Sequence, residues 1–276
     1  MYTDTNRAKA IHAESKRLEQ FLMALSPEDW QRPSRCEQWL VADVVAHLIE
    51  DQHAERLARG LRGDLTPAGF VPSATLDPDE LREQVTQHPI LLRRQLGDTF
   101  LSAFGAENER VDHILARLKP NDWETLCYHP RRPERLRDII DVRLLELAMH
   151  GWDIRASFDS RVSLFGDSLP CLLRMLPRAV RRVFRPDANR TRPSRYRLQI
   201  VEPVTARIDI LLGADGASAE VASRAKADVI LHCEATTAML VIFGRLPFAQ
   251  ATMDGRVRVE GEPELATAFG RHFQGR

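Results

Sequence analysis

Glu146 and His150 stand four residues apart in LLELAMHGWDIRA, residues 144–156, a run otherwise apolar enough for a buried helix. On an α-helix this spacing sets both side chains on one face, one turn apart. Among Leu, Ala, Met and Trp such groups cost free energy unless paired, so a shared ligand, above all a divalent cation, is the chemistry they suggest. The plain alternative is an i, i+4 pair on a solvated helix face, which contributes roughly a few tenths of a kcal/mol.

An internal echo supplies a third group. LSPEDW (25–30) recurs as LKPNDW (118–123), and VADVV (41–45) as LRDII (136–140). From the matched aspartates Asp43 and Asp138, His47 lies four residues on, Glu146 eight and His150 twelve, so each falls on a continuous stripe of its own helix. Equivalent helices of a duplicated bundle face one another, and facing helices are where bundles build metal sites. His47 alone, in VADVVAHLIE, reads equally as a satisfied core histidine. Two imidazoles and one carboxylate suit zinc first, with non-haem iron and nickel also compatible, and three protein ligands leave a coordination position open. Asp43 and Asp153 are candidates for accepting the spare imidazole N–H. For Asp43 a first-turn acid favoured by the helix dipole is an equal reading. His12, His53, His88, His113, His129, His232 and His272 have no comparable spacing and read as structural or exposed.

Helices must position these residues. The apolar periodicity predicts helices over 6–25, from about Trp39 or Val41 to Arg59, over 79–104 with Pro89 kinking or interrupting it, over 107–118 and over 134–157. After about residue 160 the texture changes. One helix (about 167–184) leads through RPDANRTRPSR to RYRLQIVE and TARIDILLG, whose period-two pattern predicts a β-hairpin. Further strands are predicted at SAEVAS, ADVILHC and RVRVEG, and helices at EATTAMLVIFGR and 262–273. The expected fold class is α+β, a helical bundle over 1–160 followed by a smaller α/β domain over 161–276.

With 276 residues, 43% hydrophobic, and 39 basic against 39 acidic side chains, the chain reads as an ordinary globular protein. Neutral net charge argues against nucleic acid as the main partner. No apolar run approaches a membrane span, and the charged N-terminus is unlike a secretory signal, so the expected location is cytoplasmic. Cys36, Cys127, Cys171 and Cys233 lie far apart and read as small buried apolar residues rather than a disulfide framework. The arginines between Arg174 and Arg197 form a dense basic stretch. Because lysine occurs only at Lys9, Lys16, Lys119 and Lys226, a solvated face in an arginine-rich chain is the favoured reading.

The residues Trp30, Ser34, Cys36, Trp39, Asp43, His47 and Leu48, then Arg143, Glu146, His150, Trp152 and Asp153, resemble the two motifs of the mycothiol-dependent maleylpyruvate isomerase family, which belongs to the DinB-like metal-binding four-helix bundles. The resemblance spans about residues 8–158. It implies zinc held by His47, Glu146 and His150, the set reached above from spacing. The C-terminal part is similar to the sterol carrier protein-like domain that follows the bundle in many members. There the resemblance implies an active-site arginine, for which Arg245 is the candidate position. The family often has Pro-Gly where this chain has Glu37-Gln38. Gln adopts positive φ less readily than Gly, so a locally different loop is expected.

The expected function is a zinc- or other divalent-metal-dependent thiol enzyme. A low-molecular-weight thiol such as mycothiol, ionised at the open position, adds to an electrophilic, carboxylated substrate. Addition to a double bond, rotation and expulsion give cis–trans isomerisation, and addition alone gives S-transfer. Arg143 and Arg245 are the candidate catalytic residues, as holders of substrate carboxylates. For Arg143 an exposed helical arginine is the alternative. The rival function is a non-catalytic, metal-stabilised protein that binds a small apolar molecule in VILHCEATTAMLVIF.

Overall fold

In the computed structural model, which describes residues 3–71, 76–130, 132–186, 192–213 and 216–274, the chain divides into two compact units, Met1–Ser168 and Leu169–Arg276. The first contains α1 (Asp4–Met23), α2 (Pro27–Trp30), α3 (Val41–Glu50), α4 (His53–Leu61), α5 (Pro78–Leu96), α6 (Phe100–Leu115) and α7 (Leu136–Arg155), with a two-stranded ribbon β1 (Leu126–Cys127) and β2 (Glu134–Arg135) before α7. Helices α1, α3, α6 and α7 pack as a four-helix bundle, and α5 lies against α3. Helix α7 is buried along most of its length from Leu136 to Ile154, with Arg143, His150 and Asp153 buried among its apolar side chains.

The repeated loops start the two site helices in the same way. Ser26 N–H is capped by Asp29 and Lys119 N–H by Asp122. Pro33 then bridges Leu40 just before α3, as Leu126 pairs with Arg135 just before α7. Each helix therefore begins at a matched residue, Val41 and Leu136, and the side-chain stripes are phased from there.

Three predicted helices are divided differently. The segment from Val41 to Leu61 is two helices, because Gln52 adopts a left-handed φ of 42° between α3 and α4. The 79–118 region breaks at Gly97–Thr99, a single 3₁₀ turn. Pro89 does not end α5, which runs as one helix from Pro78 to Leu96 although Pro89 has no N–H to donate to the preceding turn.

The second unit contains α8 (Leu169–Val183), β3 (Ser194–Val201), β4 (Ala206–Gly213), β5 (Gly216–Val221), β6 (Val229–Glu234), α9 (Ala235–Ile242), α10 (Phe248–Met253), β7 (Val257–Gly261) and α11 (Pro263–His272). The strands form one sheet in the order β5-β4-β3-β6-β7, antiparallel except for β3 and β6. Alternation places Tyr196, Leu198 and Ile200 in register with Ile210, Ile208 and Ala206 on β4, and with Val229, Leu231 and Cys233 on β6. On the opposite face Arg197 grips the buried Asp209 with two nitrogens, at 2.7 and 2.9 Å, and Arg195 reaches the same carboxylate. Arg192 pairs with Glu262 and Asp228. This part of the basic stretch is thus neutralised by carboxylates, and Arg190 lies outside the described residues. Among the described residues no helix is long and apolar enough to cross a membrane.

The loop before α3 turns at Glu37-Gln38. Trp39 N–H donates to the Cys36 carbonyl and Gln38 adopts φ 67°, the third-position conformation that a type II turn requires. Surrounding hydrogen bonds, including Ser34 N–H to the Trp39 carbonyl, hold a non-glycine residue in left-handed geometry here. Replacing Gln38 with Gly relieves that strain and is expected to stabilise the chain by about 0.5–1 kcal/mol in urea unfolding. A loss of stability would contradict this assignment of strain.

Candidate functional site

Helices α3 and α7 bring His47, Glu146 and His150 together. One oxygen, Oε2 of Glu146, lies 3.1 Å from His150 Nε2 and 3.5 Å from His47 Nε2. The two imidazole rings meet edge to face with centroids 4.8 Å apart. One ligand-type atom from each of the three residues lies within 4.8 Å of the others. Side-chain exposures of 11% for His150, 20% for His47 and 22% for Glu146 leave the cluster accessible from one side. Among the described residues no further His, Cys or carboxylate joins this group.

Each imidazole is anchored through its other nitrogen. His150 Nδ1 lies 3.0 Å from Oδ2 of the fully buried Asp153. His47 Nδ1 lies 2.5 Å from Oε1 of Glu50, the last residue of α3. A carboxylate behind each ring holds the Nδ1–H tautomer and points Nε2 at Glu146, the arrangement in which histidines ligate metals. Asp43 does not have that place. It accepts the Leu40 N–H at the start of α3 and pairs with Arg93 Nε, so its role is to cap the helix and bind α5.

Electrostatics follow the same geometry. Burial alone would lower His47, but its hydrogen bonds to Glu146 and Glu50 outweigh burial and raise it to about 9. His150 is likewise raised well above the ordinary imidazole value, against burial, by Asp153, Cys36 and Glu146. Glu146 is held well below the carboxylate range because its two histidine partners outweigh its burial.

Two side chains complete the surroundings. The Trp39 ring flanks His47 at 4.9 Å and His150 at 6.3 Å between centroids, with Nε1–H donated to the Thr86 carbonyl of α5. Cys36, expected to be an inert buried residue, is only partly buried; its Sγ lies 3.2 Å from Asp153 Oδ2 and 3.6 Å from His150 Nδ1. Cys127, Cys171 and Cys233 are buried, as expected.

The two candidate arginines have partners of their own. Arg143 is 1% exposed; Nη1 donates to the Leu48 carbonyl at 2.6 Å and Nη2 to Asn108 Oδ1 at 2.7 Å. It is neither an exposed helical arginine nor presented to a substrate, because its two terminal nitrogens tie α7 to α3 and α6. Arg245 belongs to the second unit, where Nη1 donates to the Phe243 carbonyl. In that unit the apolar cavity among Leu198, Leu231, Cys233, Val241, Phe248 and Phe269 holds about 10 Å³, the space of a single water.

If Arg143 is a structural tie, Arg143→Met strands the Leu48 carbonyl and Asn108 inside the bundle, and thermal or urea unfolding should show a loss of about 2–4 kcal/mol. Unchanged stability with a raised KM would instead mark a substrate-binding arginine.

The family model described as the mycothiol maleylpyruvate isomerase N-terminal domain matches residues 11–155, and that of the SCP-2 sterol transfer family matches residues 184–274. Among solved structures, a mycothiol-dependent maleylpyruvate isomerase is similar with a TM-score of 0.59 at 14% identity, over 88% of this chain and 90% of that one. A mutant of a mycothiol-dependent maleylpyruvate isomerase gives 0.62 at 15% identity over 95% of both chains. At these identities the likeness establishes the fold. No curated protein matches the chain.

Proposed function

Because the chain belongs to the mycothiol maleylpyruvate isomerase N-terminal domain family, we propose that it is a thiol-dependent enzyme whose His47, Glu146 and His150 hold a divalent cation, zinc first. The observation that carries this reading is the convergence of three ligand-type atoms within 4.8 Å on facing helices, with no fourth described ligand joining them. A closed, four-ligand group would fit a structural metal instead. Both imidazoles are already turned with Nε2 inward by Glu50 and Asp153. Two neutral imidazoles and a carboxylate are a donor set for zinc.

When bound, zinc supplies a thiol cofactor ionised at neutral pH, which suits reversible addition to an activated double bond or S-transfer. We take mycothiol, or a related low-molecular-weight thiol, as the cofactor, and an electrophilic, carboxylated small molecule as the substrate, with maleylpyruvate-like cis–trans isomerisation as the leading reaction. The chain's own residues prepare that chemistry. Glu50 and Asp153 hold the protons on His47 and His150 at Nδ1 and keep Nε2 available, and Trp39 walls the imidazoles on one side. Arg245 remains the candidate carboxylate holder, for which Arg245→Ala should lower turnover without changing metal content. The small cavity described in the second unit does not favour the apolar-ligand alternative.

His47→Ala and His150→Ala should each abolish stoichiometric zinc, measured by elemental analysis after dialysis. Full zinc retention by both would remove these residues as ligands. The pH dependence has a definite sign. A metal ion must displace the imidazole protons, and His47 holds its proton up to about 9 instead of the ordinary 6.5. Zinc affinity should therefore keep rising with pH through neutrality toward about 9. A plateau already reached near 6.5 would contradict the coupled histidine–carboxylate geometry.

A further inference from the structure

Glu50 ends α3, is 4% exposed and gives both of its carboxylate oxygens to imidazoles. Oε1 faces Nδ1 of His47, and Oε2 faces Nδ1 of His88, each at 2.5 Å. A carboxylate in the last turn of a helix opposes the helix dipole, so its burial there depends on these two donors. His88 comes from α5, and its ring stacks on Phe70 with centroids 3.8 Å apart and planes within 14°. Phe70 is tied to the same residue, since its N–H donates to the Glu50 carbonyl at 2.9 Å. The chain approaches that carbonyl so closely because residue 69 is glycine at φ 73°; a Cβ there would lie 2.4 Å from the carbonyl oxygen. Trp39 to Thr86 and Arg93 to Asp43 fasten α5 to the same side of α3.

We propose that His88 is a positioning residue of the site, holding Glu50 in the one orientation that fixes His47 with Nε2 toward Glu146. The inference rests on the reading of His47, Glu146 and His150 as the ligand set. A carboxylate pinned at one oxygen still swings about its side-chain torsions, and a second donor at the other oxygen removes that freedom. His88 also shares the carboxylate's acceptor strength with His47, which sets how strongly the His47 N–H is polarised and how good a donor Nε2 becomes. Phe70, brought close by Gly69, stacks on one face of the His88 ring and limits its rotation. Residues at this remove from a metal typically change its affinity by roughly 10–100-fold.

The test compares the full-length wild type with His88→Ala, His88→Phe and His88→Asn. Zinc affinity is read by chelator competition and ligand geometry by the visible absorption of the cobalt-substituted protein. Thermal unfolding of the metal-free chains is followed alongside. Phe keeps a ring against Phe70 but has no donor, whereas Asn keeps a side-chain N–H for Glu50. Ala and Phe should weaken zinc binding by about tenfold and shift the cobalt spectrum, and Asn should restore both toward wild type. If Ala unfolds the chain, the Phe and Asn pair decides. Wild-type affinity and spectrum in the Phe variant, or an Asn variant no better than Phe, overturns the proposal. A wild type that takes up no zinc overturns the ligand set itself, and His88 with it, before any substitution is made.

Discussion

Oxygen Oε2 of Glu146 faces the Nε2 atoms of two imidazoles from two different helices, and the bundle is arranged around that convergence. Three polar groups in a largely apolar interior are tolerable only as partners of one another or of a cation. Their mutual effect is large enough to depress the carboxylate and raise both imidazoles against their own burial. The remaining polar groups of the region hold this arrangement at fixed distances. Asp153 and Glu50 stand behind the rings, Trp39 beside them, and Arg143 joins α7 to the Leu48 carbonyl one residue past His47.

The duplicated loop explains how two helices far apart in the chain present complementary stripes. A short turn capped by its own aspartate and then a bridge across the loop mouth release the chain into a helix at Val41 and again at Leu136. From equal starting points, steps of four residues reach His47 in the shorter helix and Glu146 and His150 in the longer one.

The stripe was legible because it depends only on helical spacing, and the duplicated loops because their turn chemistry is local. What lay beyond the sequence is instructive. Glu50 follows His47 by three residues at the end of a helix, where a carboxylate reads as solvated, and its burial is decided by Phe70 and His88 from later segments. His88 has no spacing signal, since its partner lies 38 residues away across a loop. Asp43 shares the stripe of His47, yet Arg93 on α5 and the Leu40 N–H claim it. Arg143 reads from the sequence as exposed or substrate-facing, but the Leu48 carbonyl and Asn108 hold it inside. At Gln38 the left-handed φ that favours glycine is held by hydrogen bonds within the loop itself, from Trp39 to Cys36 and from Ser34 to Trp39.

The central claim is that this cluster offers one open coordination position to a small thiol. X-ray absorption at the zinc edge, on the zinc-loaded wild-type chain with and without mycothiol, tests it most directly. Two histidines and a carboxylate predict a shell of nitrogen and oxygen alone, at about 2.0–2.2 Å, until the thiol is added, after which one sulfur scatterer appears at about 2.3 Å. A sulfur already present without thiol, or a shell unchanged by saturating thiol, would contradict the account.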